Sequence, residues 1–204
     1  MISDKDYENL HNWTEDYINK KCIIRKPGMP GKLPGTIYSW MFYLRNGLFN
    51  HEFNSAIAQM FIYKIKKEIG HFDFQICGLE TASTPMLSSI PIIGRVFNLD
   101  INAFSIRKNQ KEYGLLNWIE GIPNSKPCLI IDDLCNSTIS MKKAYNILNE
   151  ENIPVLPYSF SVVNKVNKNV HNKYRQEHDM YLPDNIKALY LFDLDNFNLF
   201  GPSH

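Results

Sequence analysis

With 204 residues, the chain is long enough for one domain, or for one domain with an added arm. Its residues are 44% apolar and 13% aromatic, which is ample for a buried core. The net charge of +1 excludes a global field that would attract nucleic acid or a membrane, so neither is expected as a partner and any anion site must be local.

The cysteines at positions 22, 77, 128 and 135 lack the CxxC spacing of metal and redox motifs. Cys77 and Cys128 lie within apolar runs, which indicates reduced thiols in a core and favours a reducing cytoplasm. No apolar run approaches the ~20 residues of a membrane span, and the acidic, polar stretch MISDKDYENL is unlike a signal peptide. We therefore expect a cytoplasmic protein.

The first fifty residues predict a helix and two short strands. Apolar residues recur at helical spacing over residues 4–19, and KCIIRK (21–26) and TIYSWMFYL (36–44) are typical of strands. Pro27–Gly35, PGMPGKLPG, is predicted to be a loop because proline and glycine dominate it. Residues 1–50 are expected to form a small N-terminal hood beside a core at 51–204.

The centre of the chain alternates strands and helices. Helices are predicted at Asn54–Ile69, Ser83–Ile93 and Ile139–Asn149, and strands at FDFQICG (72–78), NAFSIRK (102–108), CLIID (128–132), VLPYSFSVV (155–163) and IKALYLF (186–192). The strands are near-continuous apolar runs, which is typical of a parallel sheet covered on both faces. The predicted fold class is α/β, with a central, mostly parallel twisted sheet flanked by helices.

Polar clusters follow three of these strands, at Gly78–Thr84, Arg107–Gly114 and Asp132–Ser140. Ligands in such sheets bind beyond the carboxyl ends of the strands. Asp132 and Asp133 need partners there, because burying unpaired charges costs several kcal/mol. The helix that opens after them adds backbone N–H groups and hydroxyls that suit a phosphate. One alternative is that Asp133 or Ser137 merely caps that helix.

CLIIDDLCNSTIS (128–140) resembles the phosphoribosyl pyrophosphate signature of the type I phosphoribosyltransferases. SIRKNQKEYGLLNWIEG (105–121) is similar to the mobile catalytic loop of the orotate phosphoribosyltransferase branch, and FDFQICGLETASTPM (72–86) to its central strand and following turn. YLRNGLFN (43–50) and KLPG (32–35) fall where that family has its base-side segment. The resemblance covers about residues 30 to 165.

This resemblance implies the transfer of ribose 5-phosphate from phosphoribosyl pyrophosphate to a nitrogenous base, with orotate as the first candidate. Asp132 and Asp133 would hold the ribose 2- and 3-hydroxyls and stabilise the cationic sugar, and Lys111 would complete the catalytic set. The family also implies Mg²⁺ held mainly by the substrate, and a homodimer. The remaining implied contacts with phosphoribosyl pyrophosphate are Arg107, Lys108, Tyr113, Asn136, Ser137, Thr138 and Ser140, and the implied base contact is Lys32.

The sequence departs from the family pattern on the phosphate loop and the base side. Thr138 replaces a glycine, so the backbone is strained if φ stays positive there, and Asn136 replaces a threonine or serine. VVNKVNK (162–168) replaces an Asp-Arg pair that grips the carboxylate of the base. Lys165 could substitute as a point charge, or be an ordinary exposed lysine. Glu80 is also unlike the small or aromatic residue usual at its place.

Three functions stay open at this stage. The first is an orotate-type phosphoribosyltransferase, the second is a phosphoribosyltransferase for another base, and the third is a non-catalytic regulatory protein that binds phosphoribosyl pyrophosphate or a nucleotide on the same fold. Lys111 and the acid pair favour an enzyme, whereas Thr138 and the missing arginine favour the second and third. The basic cluster at Arg107, Lys108 and Lys111 could also be a solvated surface turn.

Overall fold

The computed structural model describes residues 1–30, 37–110, 117–136, 138–165 and 181–200. Its first part consists of helix α1 (Asp4–Tyr17), a π-helical turn (Ile18–Cys22) and the strands β1 (Ile23–Pro30) and β2 (Ile37–Phe42). Helix α1 begins with a capping box, in which the Ser3 hydroxyl accepts the Asp6 N–H and the Asp6 carboxylate accepts the Ser3 N–H. The predicted first helix is confirmed.

Strands β1 and β2 form a separate, antiparallel two-stranded sheet, called the hairpin below. The loop predicted for Pro27–Gly35 is therefore wrong for Pro27–Pro30, which belongs to β1. Prolines fit there because each strand of a two-stranded sheet has an edge where no N–H donor is needed. The register shifts between Arg25 and Met29, and Gly28 supplies a φ of 80° within the shift.

The central sheet has six strands in the order β5-β4-β3-β6-β7-β8. Their bounds are β3 (Gln75–Leu79), β4 (Asn102–Ile106), β5 (Ile119–Glu120), β6 (Cys128–Cys135), β7 (Val155–Asn164) and β8 (Lys187–Asp193). All neighbours pair in parallel except the short β5, which runs antiparallel to β4. This arrangement confirms the predicted mostly parallel sheet.

Helices cover both faces of the central sheet, as the continuous apolar strands predicted. They are α3 (His51–Glu68), α4 (Thr84–Val96) and α5 (Ile139–Glu150), while the short α2 (Arg45–Leu48) packs against α3. Ile76, Leu129 and Ile131 pack in one apolar cluster with α3 and α4. The alternating residues Cys77 and Ile130 point to the other face and pack with α5.

The predicted helix at Asn54–Ile69 is observed as α3, which starts one turn earlier. The Asn50 side chain accepts the N–H groups of Glu52 and Phe53 and so fixes the start. All four cysteines are buried free thiols, which confirms the core position predicted for Cys77 and Cys128. None of the helices in the described ranges is long and apolar enough to cross a bilayer.

Strand β6 is longer than predicted, because the two aspartates do not end it. Pairing with β7 continues through Asp132 opposite Ser161 and Cys135 opposite Asn164. Asp132 and Asp133 therefore lie within the last half of the strand. The pairing holds both acids on rigid backbone, where a loop had been expected to begin.

Candidate active site

A cleft of about 220 Å³ opens at the carboxyl ends of β3, β4 and β6, beside the end of the hairpin. Because these three strands are parallel, their carboxyl ends meet at one edge of the sheet. Each of the three polar clusters predicted at the strand ends contributes side chains to the cleft. Its charged and hydroxyl side chains are Arg45, Glu80, Lys108, Asp132, Asp133 and Ser140.

The two aspartates form the most buried polar part of the cleft. Asp132 is 8% exposed, and its Oδ1 accepts the Asp133 N–H at 2.9 Å. Burial raises the pKa of Asp132 well above its usual value, and the neighbouring charge of Asp133 adds to the rise. Burial also raises the pKa of Asp133, opposed by hydrogen bonds and by the positive charge of Arg45. Without a ligand, negative charge on the pair is therefore unfavourable, and a ligand that donates hydrogen bonds to the carboxylates would stabilise it.

Lys108 lies at the end of β4, and its peptide groups are held from two sides. Its N–H donates to Glu80 Oε1 at 3.1 Å, and its carbonyl accepts a short hydrogen bond from Lys143 Nζ. Lys143 belongs to α5, and its Nζ also lies 5.4 Å from the centroid of the Trp118 ring. The turn after β3 and helix α5 therefore jointly fix the backbone from which the Lys108 side chain reaches the cleft.

Arg107 is already engaged by another side chain. Its Nη1 lies 2.8 Å from Glu120 Oε1 on β5, and its Nε donates to the Asn109 carbonyl at 3.3 Å. The Arg107 side chain is 26% exposed, so the pair is half-buried. The ion pair joins Arg107, just after β4, to β5, which comes next along the chain.

The candidate phosphate loop keeps the backbone conformation that a glycine would adopt. Thr138, at the start of α5, has φ 55° and ψ −6°, which is the left-handed region. The strain predicted for a β-branched residue at positive φ is therefore present. Ser140, in the first turn of α5, lines the cleft, and Asn136 is exposed just after β6.

Lys165 follows β7 and lies against the hairpin. Its Nζ is 4.4 Å from the centroid of the Trp40 ring and 5.6 Å from that of Tyr38. Burial lowers the pKa of this lysine. The expectation of an ordinary exposed lysine is wrong, because two aromatic faces of β2 cover the ammonium group.

The structure thus brings Lys108, Asp132, Asp133 and Ser140 to one cleft. The predicted residues Lys32, Lys111, Tyr113 and Ser137 lie outside the described residues. Sequence reasoning gave no role to Arg45, although it is the one charged residue of the base-side segment YLRNGLFN. Within the described ranges, no three His, Cys, Asp or Glu side chains are grouped to hold a metal ion.

Comparison with known proteins supports the fold. No protein-family model matches the chain. Orotate phosphoribosyltransferase from Mycobacterium tuberculosis H37Rv, in complex with Fe(III) dicitrate, superposes with a TM-score of 0.67 at 14% identity, over 92% of this chain and 98% of that one. The same enzyme in complex with 5-phospho-alpha-D-ribosyl 1-diphosphate gives 0.58 at 12% identity, over 96% and 93%.

Adenine phosphoribosyltransferase from Saccharomyces cerevisiae, in complex with D-2,5-dideoxy-2,5-imino-altritol 1,6-bisphosphate and adenine, gives a TM-score of 0.57 at 14% identity, over 88% of this chain and 99% of that one. These identities are low, so the likeness concerns the backbone arrangement. The architecture predicted from the sequence motifs is also observed: a six-stranded sheet flanked by helices, with a cleft at the strand ends. The chain therefore has the type I phosphoribosyltransferase fold.

Proposed function

We propose that the protein is a phosphoribosyltransferase, which transfers ribose 5-phosphate from phosphoribosyl pyrophosphate to a nitrogenous base. The observation that carries this proposal is the acid pair of the buried Asp132 and the partly buried Asp133, in a cleft that also holds Lys108 and Ser140. A ribose diol and a developing sugar cation are the partners that such an acid pair lacks. The solved structures of this fold with 5-phospho-alpha-D-ribosyl 1-diphosphate and with adenine support these ligands.

The acid pair would respond to the sugar through its protonation. Hydroxyl donors and nearby positive charge favour the ionised form of a carboxyl group. Binding of the diol would therefore lower the pKa values that burial raises in Asp132 and Asp133. The ionised pair then stabilises the positive charge that develops at the anomeric carbon, which is electrostatic stabilisation of the transition state.

The diphosphate would leave on the side of Lys108. The Lys108 ammonium, on its fixed backbone, neutralises charge there, and Arg107 and Lys111 are proposed to add to it. Carboxylate and phosphate oxygens are the ligands that Mg²⁺ prefers, and it usually binds through substrate phosphates with one or two carboxylates. Because no three described His, Cys, Asp or Glu side chains are grouped to hold a metal ion, the proposed Mg²⁺ would be held mainly by the substrate phosphates, where it would supply further charge neutralisation.

The acceptor is proposed to be orotate, with a different base as the second candidate. The sequence order of the acidic loop and the basic loop favours orotate, whereas the loss of the Asp-Arg pair favours another base. A regulatory protein without turnover is the third candidate, and the strained Thr138 favours it. A homodimer, in which each basic loop reaches the neighbouring site, belongs to the proposal for an enzyme.

One assay separates these functions. Purified protein with Mg²⁺ and phosphoribosyl pyrophosphate is offered orotate, uracil, adenine, guanine and hypoxanthine, and pyrophosphate release is measured. Release with orotate supports the first candidate, and release only with another base supports the second. Calorimetric binding of phosphoribosyl pyrophosphate without release with any base supports the regulatory protein, and no binding at all would refute the proposal.

Asp133→Asn tests the role of the acid pair. We expect a loss of about 10²-fold or more in kcat/KM, because removal of one preorganised electrostatic contact costs that much in other enzymes. Asp73→Asn is the matched control, since Asp73 is 79% exposed in a surface pair with Lys126 and such pairs contribute little. If Asp133→Asn changed only the melting temperature, the acid would be a structural cap.

A further inference from the structure

The cleft has a positively charged side chain on its hairpin side that the proposed mechanism does not use. Four consecutive residues, Phe42 to Arg45, line this wall, and Arg45 begins helix α2. Among the described residues that line the cleft, the other cation is Lys108, on the strand-end side. The two cations therefore belong to different walls, and Lys108 is assigned to the departing diphosphate.

Arg45 is available for a ligand. Arg45 is exposed, and no described carboxylate forms an ion pair with it. Its guanidinium carbon lies 4.9 Å from the centroid of the Tyr43 ring. Stacking on a ring occupies the flat face of a guanidinium, whereas its five N–H donors point outward in the plane. Tyr43 thus orients the group and leaves its hydrogen-bonding edge open.

Arg45 also lies near the place where the acceptor must react. Its positive charge acts on Asp133, which is one of the acids proposed to hold the ribose. The acceptor ring attacks the anomeric carbon of that ribose, so it must lie next to the sugar. The hairpin wall, with the ring of Tyr43 and the fork of Arg45, is the part of the cleft that remains for it.

Lys165 is less suited to the same task. It does not line the cleft, and its ammonium group is covered by Trp40 and Tyr38. An ammonium is a point charge without the paired donors that match a carboxylate. Its contacts indicate a structural role, in which it joins the end of β7 to the hairpin.

We propose that Arg45 binds an anionic group of the acceptor base and thereby selects a carboxylated base over an uncharged one. The proposal rests on the proposed function and adds a specificity-determining residue to it. Recognition of the carboxylate would come from the hairpin side, in place of the arginine that residues 162–168 lack. Two parallel N–H donors to one carboxylate would fix the orientation of the ring as well as its charge.

Nucleotide binding tests this role without any need for turnover. Orotidine 5′-monophosphate and uridine 5′-monophosphate differ only in the carboxylate, and their affinities are compared by calorimetry. We expect the wild type to bind the carboxylated nucleotide at least about 10-fold more tightly. Arg45→Gln should remove that preference while the affinity for uridine 5′-monophosphate stays within about 3-fold, and Arg45→Lys should restore part of it.

Two further variants complete the comparison. Arg95→Gln is the control, because Arg95 is 74% exposed on α4 and lies 3.8 Å from Asp100, outside the cleft. It should leave both affinities unchanged. Lys165→Gln tests the competing cation. The proposal is overturned if the preference survives in Arg45→Gln, if it is lost in Lys165→Gln instead, or if the wild type has no preference.

The failure of this proposal differs from failure of the proposed function. A protein that releases pyrophosphate with some base but binds both nucleotides equally would keep its phosphoribosyltransferase function and lose the role of Arg45. A protein that shows the Arg45-dependent preference without releasing pyrophosphate would keep the role of Arg45 and be a binding protein. A merely structural arginine would change both affinities together, which also counts against the proposal.

Discussion

Thr138→Gly is expected to stabilise the protein, although it removes a side chain. Thr138 has φ 55° at the start of α5, and an L-residue in this left-handed region costs roughly 1–2 kcal/mol. Glycine adopts it freely but loses about 0.5–1 kcal/mol more in backbone entropy on folding. The difference is a gain of about 1 kcal/mol in the free energy of unfolding.

The measurement is urea unfolding together with a melting curve. A gain of about 1 kcal/mol corresponds to a rise of roughly 2–4 °C in Tm for a chain of this size. Asn152→Gly is the matched control, because Asn152 lies just beyond the other end of the same helix with φ 57°. Asparagine tolerates this conformation better than threonine, so the control should change the stability by only a few tenths of a kcal/mol.

The reasoning would be refuted if Thr138→Gly were neutral or destabilising while Asn152→Gly behaved as expected. That result would show that the threonine side chain contributes more than the strain costs. A rise in affinity for phosphoribosyl pyrophosphate in the glycine variant would be a separate finding, since strain that is present with and without the ligand cancels in the binding equilibrium.

Two further predictions concern packing and pH. Gly78→Ala would place a Cβ 2.4 Å from the Ile131 carbonyl oxygen, so we expect the free energy of unfolding in urea to fall by about 3 kcal/mol. Gly94→Ala is the control, because its Cβ would lie 3.4 Å from Ile101 Cδ1, and its stability should stay within about 1 kcal/mol of the wild type. Equal losses in both would contradict the steric argument. Because the folded pKa of Asp132 is raised, its contribution to stability is full below about pH 4 and is lost as the pH rises to the folded value. Asp132→Asn should therefore lose less stability than the wild type as the pH rises from about pH 4 through the folded pKa of Asp132, and parallel pH profiles would rule this out.

The strands of the core were predictable because burial on both faces leaves a continuous apolar run, as in CLII before Asp132. The end of β6 was not, since pairing with β7 carries the strand through polar residues whose pattern alone suggests a loop. Pro27–Pro30 was missed for a related reason, because an edge strand tolerates the residues that exclude a central one.

The candidate site was predictable only where its residues lie at the end of an apolar run that forms a strand. Asp132, Asp133 and Lys108 do so, and the parallel sheet brings their strand ends together. Arg45 depends on how the hairpin meets the sheet, which is a tertiary relation without a local pattern. The contact of the Lys165 ammonium group with the Trp40 ring also depends on how the hairpin meets the sheet.

The hairpin is joined to the end of β7 by the contact of Lys165 with Trp40 and Tyr38. A cation–π contact is worth about 0.5–2 kcal/mol, so this contact taken alone would be broken in roughly one molecule in three to one in thirty at any instant. It can therefore break and re-form by thermal motion while the core beneath it stays folded.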